Sequence, residues 1–431
     1  MNPLPVLVGK AVRFASRLRG GGSAFPGLVV ERLDPGFMGR ALSALPRGVV
    51  VVSGTNGKTT TTKMVVELLE GQGLTVFTNR TGSNFTRGVA AALLAEVDWR
   101  GRLRADVAVL ELDEAHAVHF VKLVPPRYSL LLNVLRDQLD RFGEIDATTR
   151  LLERIALATT DTVVLNREDP RVAGIAASIP GSDAGTGSGA DIVYFGLDSS
   201  LRSTFPNDDE LRGAEGVKPA SALPADVVLR SVDGNSAEFE ADGITTRTDL
   251  RLRGVYNIVN AAAALAAARA VLGDGADTVR LYESLAAVRP AFGRGESLDV
   301  DGDALELVLV KNPSGFRLGL SSFDPAGCAT MIAINDNYAD GRDMSWLWDV
   351  DFDSLGLGGV EMVSGVRAYD MALRLRYDDV RVGTVEPDIT EGLKQFVRGT
   401  QGRPKRIFCT YTSMLAVRRE LSKITKVEVV S

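Results

Sequence analysis

At 431 residues, with 45% hydrophobic and 24% charged side chains, the chain has enough apolar surface for two or three compact domains and is neither a disordered nor a fibrous protein. A net charge of -6 presents no general basic field to a phosphate backbone, which argues against a nucleic-acid protein. Two cysteines (Cys328, Cys409) cannot supply a four-thiolate site and two histidines (His116, His119) leave little for a histidine-rich one, so no zinc is expected, and the low cysteine use with no evident secretory signal suits a reducing cytoplasm.

In chain order, residues 1–46 form an N-terminal segment with a short amphipathic helix, Lys10, Arg13 and Arg17 lying opposite Val8, Val12 and Leu18. It fits two readings, a helix docked on the domain behind it or a contact with the inner face of the membrane. No apolar run approaches the ~20 residues that would span a bilayer. Residues 49–52 are a buried strand by composition, followed by a glycine loop and a helix over 63–71, half of a βαβ unit. Further strands are expected over 107–110, 128–132, 162–165 and 192–195, spaced for a mostly parallel sheet. From about 196 to 251 a polar texture with short alternating stretches predicts a small antiparallel insertion. Residues 261–272 read as a buried helix, and strands over 304–310, 329–334, 359–363 and 406–410 announce a second α/β domain. The expected domains are 47–296, with the insertion, and 297–431.

The candidate chemistry begins at Gly54-Thr55-Asn56-Gly57-Lys58-Thr59-Thr60, between the first strand and its helix, where backbone N–H groups and a helix N-terminus can cradle phosphates. Lys58 would reach the β- and γ-phosphates of ATP and the Thr59 hydroxyl would ligate Mg²⁺; the competing reading is an ordinary glycine turn. The next apolar strand ends at Glu111-Leu112-Asp113-Glu114, acids suited to holding magnesium beside such a loop, or else solvated surface acids. Asp113-Glu114-Ala115-His116 also spells the DEAH box of helicases. A helicase needs a second motor domain with its own arginine motifs and a basic nucleic-acid track, which an acidic chain of this length does not offer.

These residues, with NVLRDQLDR at 133–141, Asn166 and Asp169 in LNREDP, Gly254, Asn257 and Asn260 in GVYNIVNA, FGRGE at 292–296 and Lys311-Asn312-Pro313, resemble the Mur ligase family of ATP-dependent amide-bond formers. The resemblance implies a Mur ligase-type central P-loop ATPase domain followed by a C-terminal Rossmann-like α/β domain, with Glu111 binding magnesium, Asn257 facing the adenine and Arg294 near the phosphates. Only about fifty residues precede the loop, too few for a UDP-binding domain. Gln138 stands where a metal-binding histidine is usual, and no lysine lies between Lys122 and Lys218 to carry a second metal.

Those departures, with TNRTGSNFTRG at 78–88 and NDNYADGRDMSWLWDVDF at 335–352, narrow the resemblance to the MurT family, the synthetase subunits of lipid II isoglutaminyl synthase. Such subunits pair with a GatD glutaminase as a heterodimer and amidate the α-carboxylate of D-glutamate in the lipid II stem peptide. The resemblance implies substrate contacts at Thr81, Gly82 and Asn84, and an aspartate, here Asp349 with Asp343 as second choice, lent to the glutaminase. Some relatives carry a cysteine zinc ribbon in the central domain; residues 196–251 hold no cysteine. Neither Cys328, in Ala-Gly-Cys-Ala-Thr, nor Cys409 has a flanking glycine on both sides for a nucleophile elbow, so ammonia is expected from a partner. Two other functions stay open: a folylpolyglutamate- or muramyl-type ligase adding an amino acid, and an ATP-binding scaffold without ligase activity.

Overall fold

The computed structural model describes residues 4–18, 25–79, 85–135, 145–181, 189–205, 223–251, 255–289, 294–321 and 327–427. The chain divides into two compact units, one of residues 1–134, 145–251 and 258–288, the other of 135–144, 252–257 and 289–431.

In the first unit α1 (Leu4–Leu18), α2 (Phe25–Leu33) and α3 (Phe37–Leu42) precede β1 (Val49–Ser53), α4 (Lys58–Gly71), β2 (Val76–Thr78), α5 (Thr86–Glu96), β3 (Val107–Glu111), α6 (Glu114–Leu123) and β4 (Tyr128–Leu131). Then come β5 (Thr162–Asn166), β6 (Asp191–Leu197), β7 (Val227–Asp233), β8 (Ser236–Ala241) and β9 (Ile244–Asp249), joined into one sheet of order β2-β3-β1-β4-β5-β6-β7-β8-β9. The seven strands up to β7 run parallel. β1 is valine at four successive positions and buried throughout, because a parallel strand covered by helices on both faces has no solvent side to make polar. Val6, Val30, Phe37 and Leu42 pack into the same core as Val49 and Leu110, so the N-terminal segment belongs to this unit rather than standing apart.

The segment expected as a small antiparallel insertion is antiparallel over β7 to β9 and extends the sheet. β7 pairs parallel with β6, and β8 and β9 follow antiparallel. Asp242 and Gly243, at φ 52° and 74°, close the two-residue loop between Ala241 and Ile244, the left-handed pair that an Asp-Gly hairpin turn requires. The buried helix expected over 261–272 is present and starts earlier, as Val255–Leu272. The window Asn257–Gly275 is long and apolar enough to cross a membrane, yet 67% of it is buried, which marks the core helix of a globular unit.

The second unit holds β10 (Arg294–Val300), β11 (Asp303–Leu309), β12 (Ala329–Ala333), β13 (Val360–Ser364), β14 (Val382–Glu386) and β15 (Lys405–Cys409), in the order β10-β11-β15-β12-β13-β14. Only the β10–β11 pair is antiparallel. Successive side chains go to opposite faces: Val308, Ile332 and Phe408 join one core with Phe316, Trp346 and Phe352, while Leu307, Met331 and Ile407 join another with Phe396 and Met414. Beyond β12 the chain is tied back to the first turn of the helix after β15, Tyr411–Leu421, by Asp340, whose Oδ1 accepts from the Thr412 backbone N–H at 2.7 Å and whose Oδ2 accepts from the Thr412 hydroxyl. Burial pushes the Asp340 carboxyl above the usual range, against these hydrogen bonds.

Candidate active site

The strand order sets the site. β1 lies between β3 and β4, with Val52 level with Glu111 and Ser53 level with Leu131, so the chain leaves three adjacent carboxyl ends where the connections turn to opposite sides. That is the crevice in which open parallel sheets bind ligands.

The loop after β1 depends on two glycines. Gly54 has φ 133° and Gly57 φ 87°, conformations that side chains avoid, and a Cβ on Gly57 would come 2.7 Å from Asn260 Oδ1. Asn133, just past β4, holds the loop from the other side: its Oδ1 accepts from Asn56 N–H at 2.8 Å, its Nδ2 donates to the Asn56 carbonyl at 3.1 Å, and its own carbonyl accepts from Thr55 N–H at 3.0 Å. With main-chain donors and acceptors fixed in this way, the loop is preorganised before any phosphate arrives.

Lys58 begins α4 and is buried, 7% exposed. Its Nζ donates to the Gly54 carbonyl and lies 3.3 Å from Glu114 Oε2, so the ammonium folds back over the loop and is charge-paired there. The Thr59 hydroxyl donates to Glu111 Oε1 at 2.9 Å. Glu111 is in turn fixed by Asn79, which donates to its carbonyl at 2.8 Å and accepts from its N–H at 3.0 Å. A hydroxyl and a carboxylate side by side at the carboxyl end of β3 are hard oxygen donors of the kind that magnesium takes, and the pair fits that ion. Asn79 is a positioning residue that the sequence does not set apart from its neighbours in the 78–88 segment.

Asp169 works one strand further out. Its Oδ1 accepts from Arg171 and Val172 N–H and so caps the short helix Pro170–Gly174, while its Oδ2 accepts from Val134 N–H at 2.6 Å. Asn166 Nδ2 donates to the Leu132 carbonyl at 2.8 Å. These two side chains brace the residues flanking Asn133. Burial, only partly offset by the three backbone N–H donors, raises the Asp169 carboxyl to about 6. A carboxyl that binds its proton more tightly in the folded chain favours folding below the unfolded value near 3.8 and loses that contribution as pH rises through about 6. Asp169→Asn keeps a capping oxygen, so it is expected to flatten the fall in stability between these pH values; urea melts at a series of pH values measure it.

Other expected residues lie elsewhere. Asn257 is fully buried in the first turn of the helix Val255–Leu272, three residues before Asn260. Arg294 opens β10 in the second unit; its side chain, Thr81, Gly82, Asn84 and Gln138 lie outside the described residues. Asp349 is half-buried and ends a 3-10 turn, Ser345–Asp349, in the second unit. Its carbonyl accepts from Arg317, and Arg374 donates to the carbonyls on either side, Leu347 and Val350. Trp346 of that turn is buried against Phe316, whereas Trp348 is half exposed, edge-on to Tyr377. Both thiols are pushed up by burial, Cys409 far more than Cys328, which keeps them protonated and poorly nucleophilic.

Comparison with known proteins identifies the family. Residues 52–268 match the Mur ligase middle domain and residues 309–414 the MurT ligase C-terminal family. The chain is 31% identical to the lipid II isoglutaminyl synthase (glutamine-hydrolyzing) subunit MurT of Streptococcus pneumoniae, covering 97% of this chain and 96% of that one. It is 28% identical to the subunit of the same name from Staphylococcus aureus strain COL, over 88% and 89% of the two chains. Among solved structures, MurF ligase from Thermotoga maritima in complex with ADP superposes with a TM-score of 0.66 at 17% identity, covering 91% of this chain and 84% of that one, a likeness of fold. Across nearly its whole length, then, the chain belongs to the MurT family of Mur ligases.

Proposed function

We propose that this ligase amidates the α-carboxylate of D-glutamate in the lipid II stem peptide to D-isoglutamine, in the cytoplasm, using ATP and ammonia from a GatD-like glutaminase subunit. The observation that carries the reading is the end-to-end similarity to a subunit named for that synthase, joined to a preorganised phosphate loop.

A carboxylate needs a leaving group before ammonia can displace it, and phosphorylation by ATP gives an acyl phosphate. Gly54 to Thr60 would hold the triphosphate on main-chain N–H groups. Lys58, released from the Gly54 carbonyl and Glu114, would balance charge on the transferring phosphoryl group. Thr59 and Glu111 would hold magnesium, which supplies further charge neutralisation at the phosphate oxygens. Asn133 and Asn79 keep the loop and Glu111 in register, so little reorganisation is left to the reaction step. Asn257 would face the adenine, Arg294 the phosphates, and Thr81, Gly82 and Asn84 the glycan-peptide substrate.

The nitrogen source is the sharpest test. With both thiols kept protonated and no nucleophile elbow, the purified chain alone is expected to release no glutamate from glutamine, yet to amidate lipid II when supplied with ATP, magnesium and high ammonium salt. Mass spectrometry of the product reads a one-nitrogen exchange of hydroxyl for amine. Glutaminase activity from the chain alone, or a product enlarged by a whole amino acid, would sink the reading.

A further inference from the structure

Helix α1 carries its apolar face outward. Leu4 and Phe14 are 62% and 67% exposed, and Leu7, Val8, Ala11 and Ala15 are exposed with them, at the spacing that forms one stripe of an α-helix. The docked side is a different one. Val6 is buried, and Gly9 lies so near α2 and α5 that a Cβ there would meet Val30 and Leu94 below 3.0 Å. Lys10 Nζ donates to the Val97 carbonyl at 2.7 Å. A cation thus pins the helix to the body while leucine and phenylalanine face water, the reverse of an ordinary surface helix.

Charge selects the occupant. Residues 1–20 include Lys10, Arg13, Arg17 and Arg19 and no acid, in a chain whose net charge is -6. Two residues past the Lys10 anchor, Trp99 is exposed with the Arg100 guanidinium 4.4 Å over its ring, and Arg102 and Arg104 follow, also exposed. An apolar helical stripe next to the point where Lys10 meets Val97, with an exposed tryptophan and three exposed arginines following that point, has the composition of a surface lying in a membrane interface. We propose that α1 binds the surface of an anionic lipid bilayer, its apolar stripe entering the headgroup and acyl boundary and the exposed Arg100, Arg102 and Arg104 beside it meeting lipid phosphates. On this proposal the docked and membrane readings of the sequence apply to opposite sides of one helix. The surface would bring the ligase to a lipid-borne substrate, but vesicle binding without that substrate tests it apart from the amidation reading.

The full chain is expected to co-sediment with vesicles of equimolar phosphatidylcholine and phosphatidylglycerol, and far less with phosphatidylcholine alone or in high salt. Leu7→Ser combined with Phe14→Ser is expected to lower the vesicle partition coefficient about tenfold or more, with an unchanged unfolding midpoint because both side chains are exposed. Equal partition of the wild type and this variant would overturn the proposal. So would a wild type that ignores vesicles while the variant loses a self-associated species, which would make the stripe a contact between copies of the chain.

Discussion

Lys58→Ala is expected to cut ATP-dependent amidation about a thousandfold and also to destabilise the first unit by about 3 kcal/mol. The two effects have separate causes. Catalysis fails because the loop loses the ammonium that would balance charge on the transferring phosphoryl group. Stability falls because Lys58 is buried and faces Glu114, itself only 3% exposed; without the ammonium the carboxylate must stay charged and buried or take up a proton. Position in a phosphate loop alone would suggest a variant with an intact fold, and it is the burial of the pair that changes the expectation. Lys58→Ala with Glu114→Gln therefore recovers most of the stability and none of the activity. Urea unfolding together with an amidation assay reads both. Wild-type turnover in the single variant would remove the phosphate-loop assignment, and a double variant no more stable than the single would show that the pair is not what holds the loop.

How far the sequence reveals this site depends on the range of each contact. The loop was legible because seven consecutive residues carry the turn, the cation and the hydroxyl, and because a continuous valine run can only be a strand covered on both faces. The supports of the loop were not. Asn133 meets Asn56 across 77 residues, Glu114 meets Lys58 across 56, and Asn79 meets Glu111 across 32. Each pairing exists only because β1 comes to lie between β3 and β4, a strand order that no local pattern encodes. The sheet's far edge is the opposite case. Asp242-Gly243 and Asp301-Gly302 both take positive φ in two-residue hairpin loops, so an Asp-Gly signal between alternating segments was available, while the polar composition around the first one pointed to a separate insertion. The exposed side of α1 was hidden for a third reason: its helical wheel offers more than one apolar flank, and only the Gly9 contact and the Lys10 anchor decide which one docks.

The last expectation concerns Asp349, which we propose lends its carboxylate to the histidine of a glutaminase partner, as the third member of a catalytic triad. The turn that bears it is held from both sides, by Arg317 on its own carbonyl and by Arg374 on the carbonyls of Leu347 and Val350. Arg374 also lies 5.4 Å over the half-exposed Trp348 ring, so the main chain beside Asp349 is rigid next to an aromatic surface of the kind enriched at interface hot spots. Asp343, the second choice, has a local task, since its Oδ1 accepts from the Ser345 N–H at 2.9 Å. Asp349→Asn preserves shape and removes charge. It is expected to leave complex formation and ammonia-supported amidation near the wild type while lowering glutamine-supported amidation by about 10³- to 10⁴-fold, the loss seen when a triad histidine lacks its orienting carboxylate. Asp343→Asn is expected to weaken the turn and to lower both nitrogen sources alike, if either. Assays of the purified complex with glutamine and with ammonium salt, run in parallel, separate the outcomes: equal loss with both sources in Asp349→Asn would move that residue to the ligase reaction or to the fold, and no loss with either would leave it a surface acid.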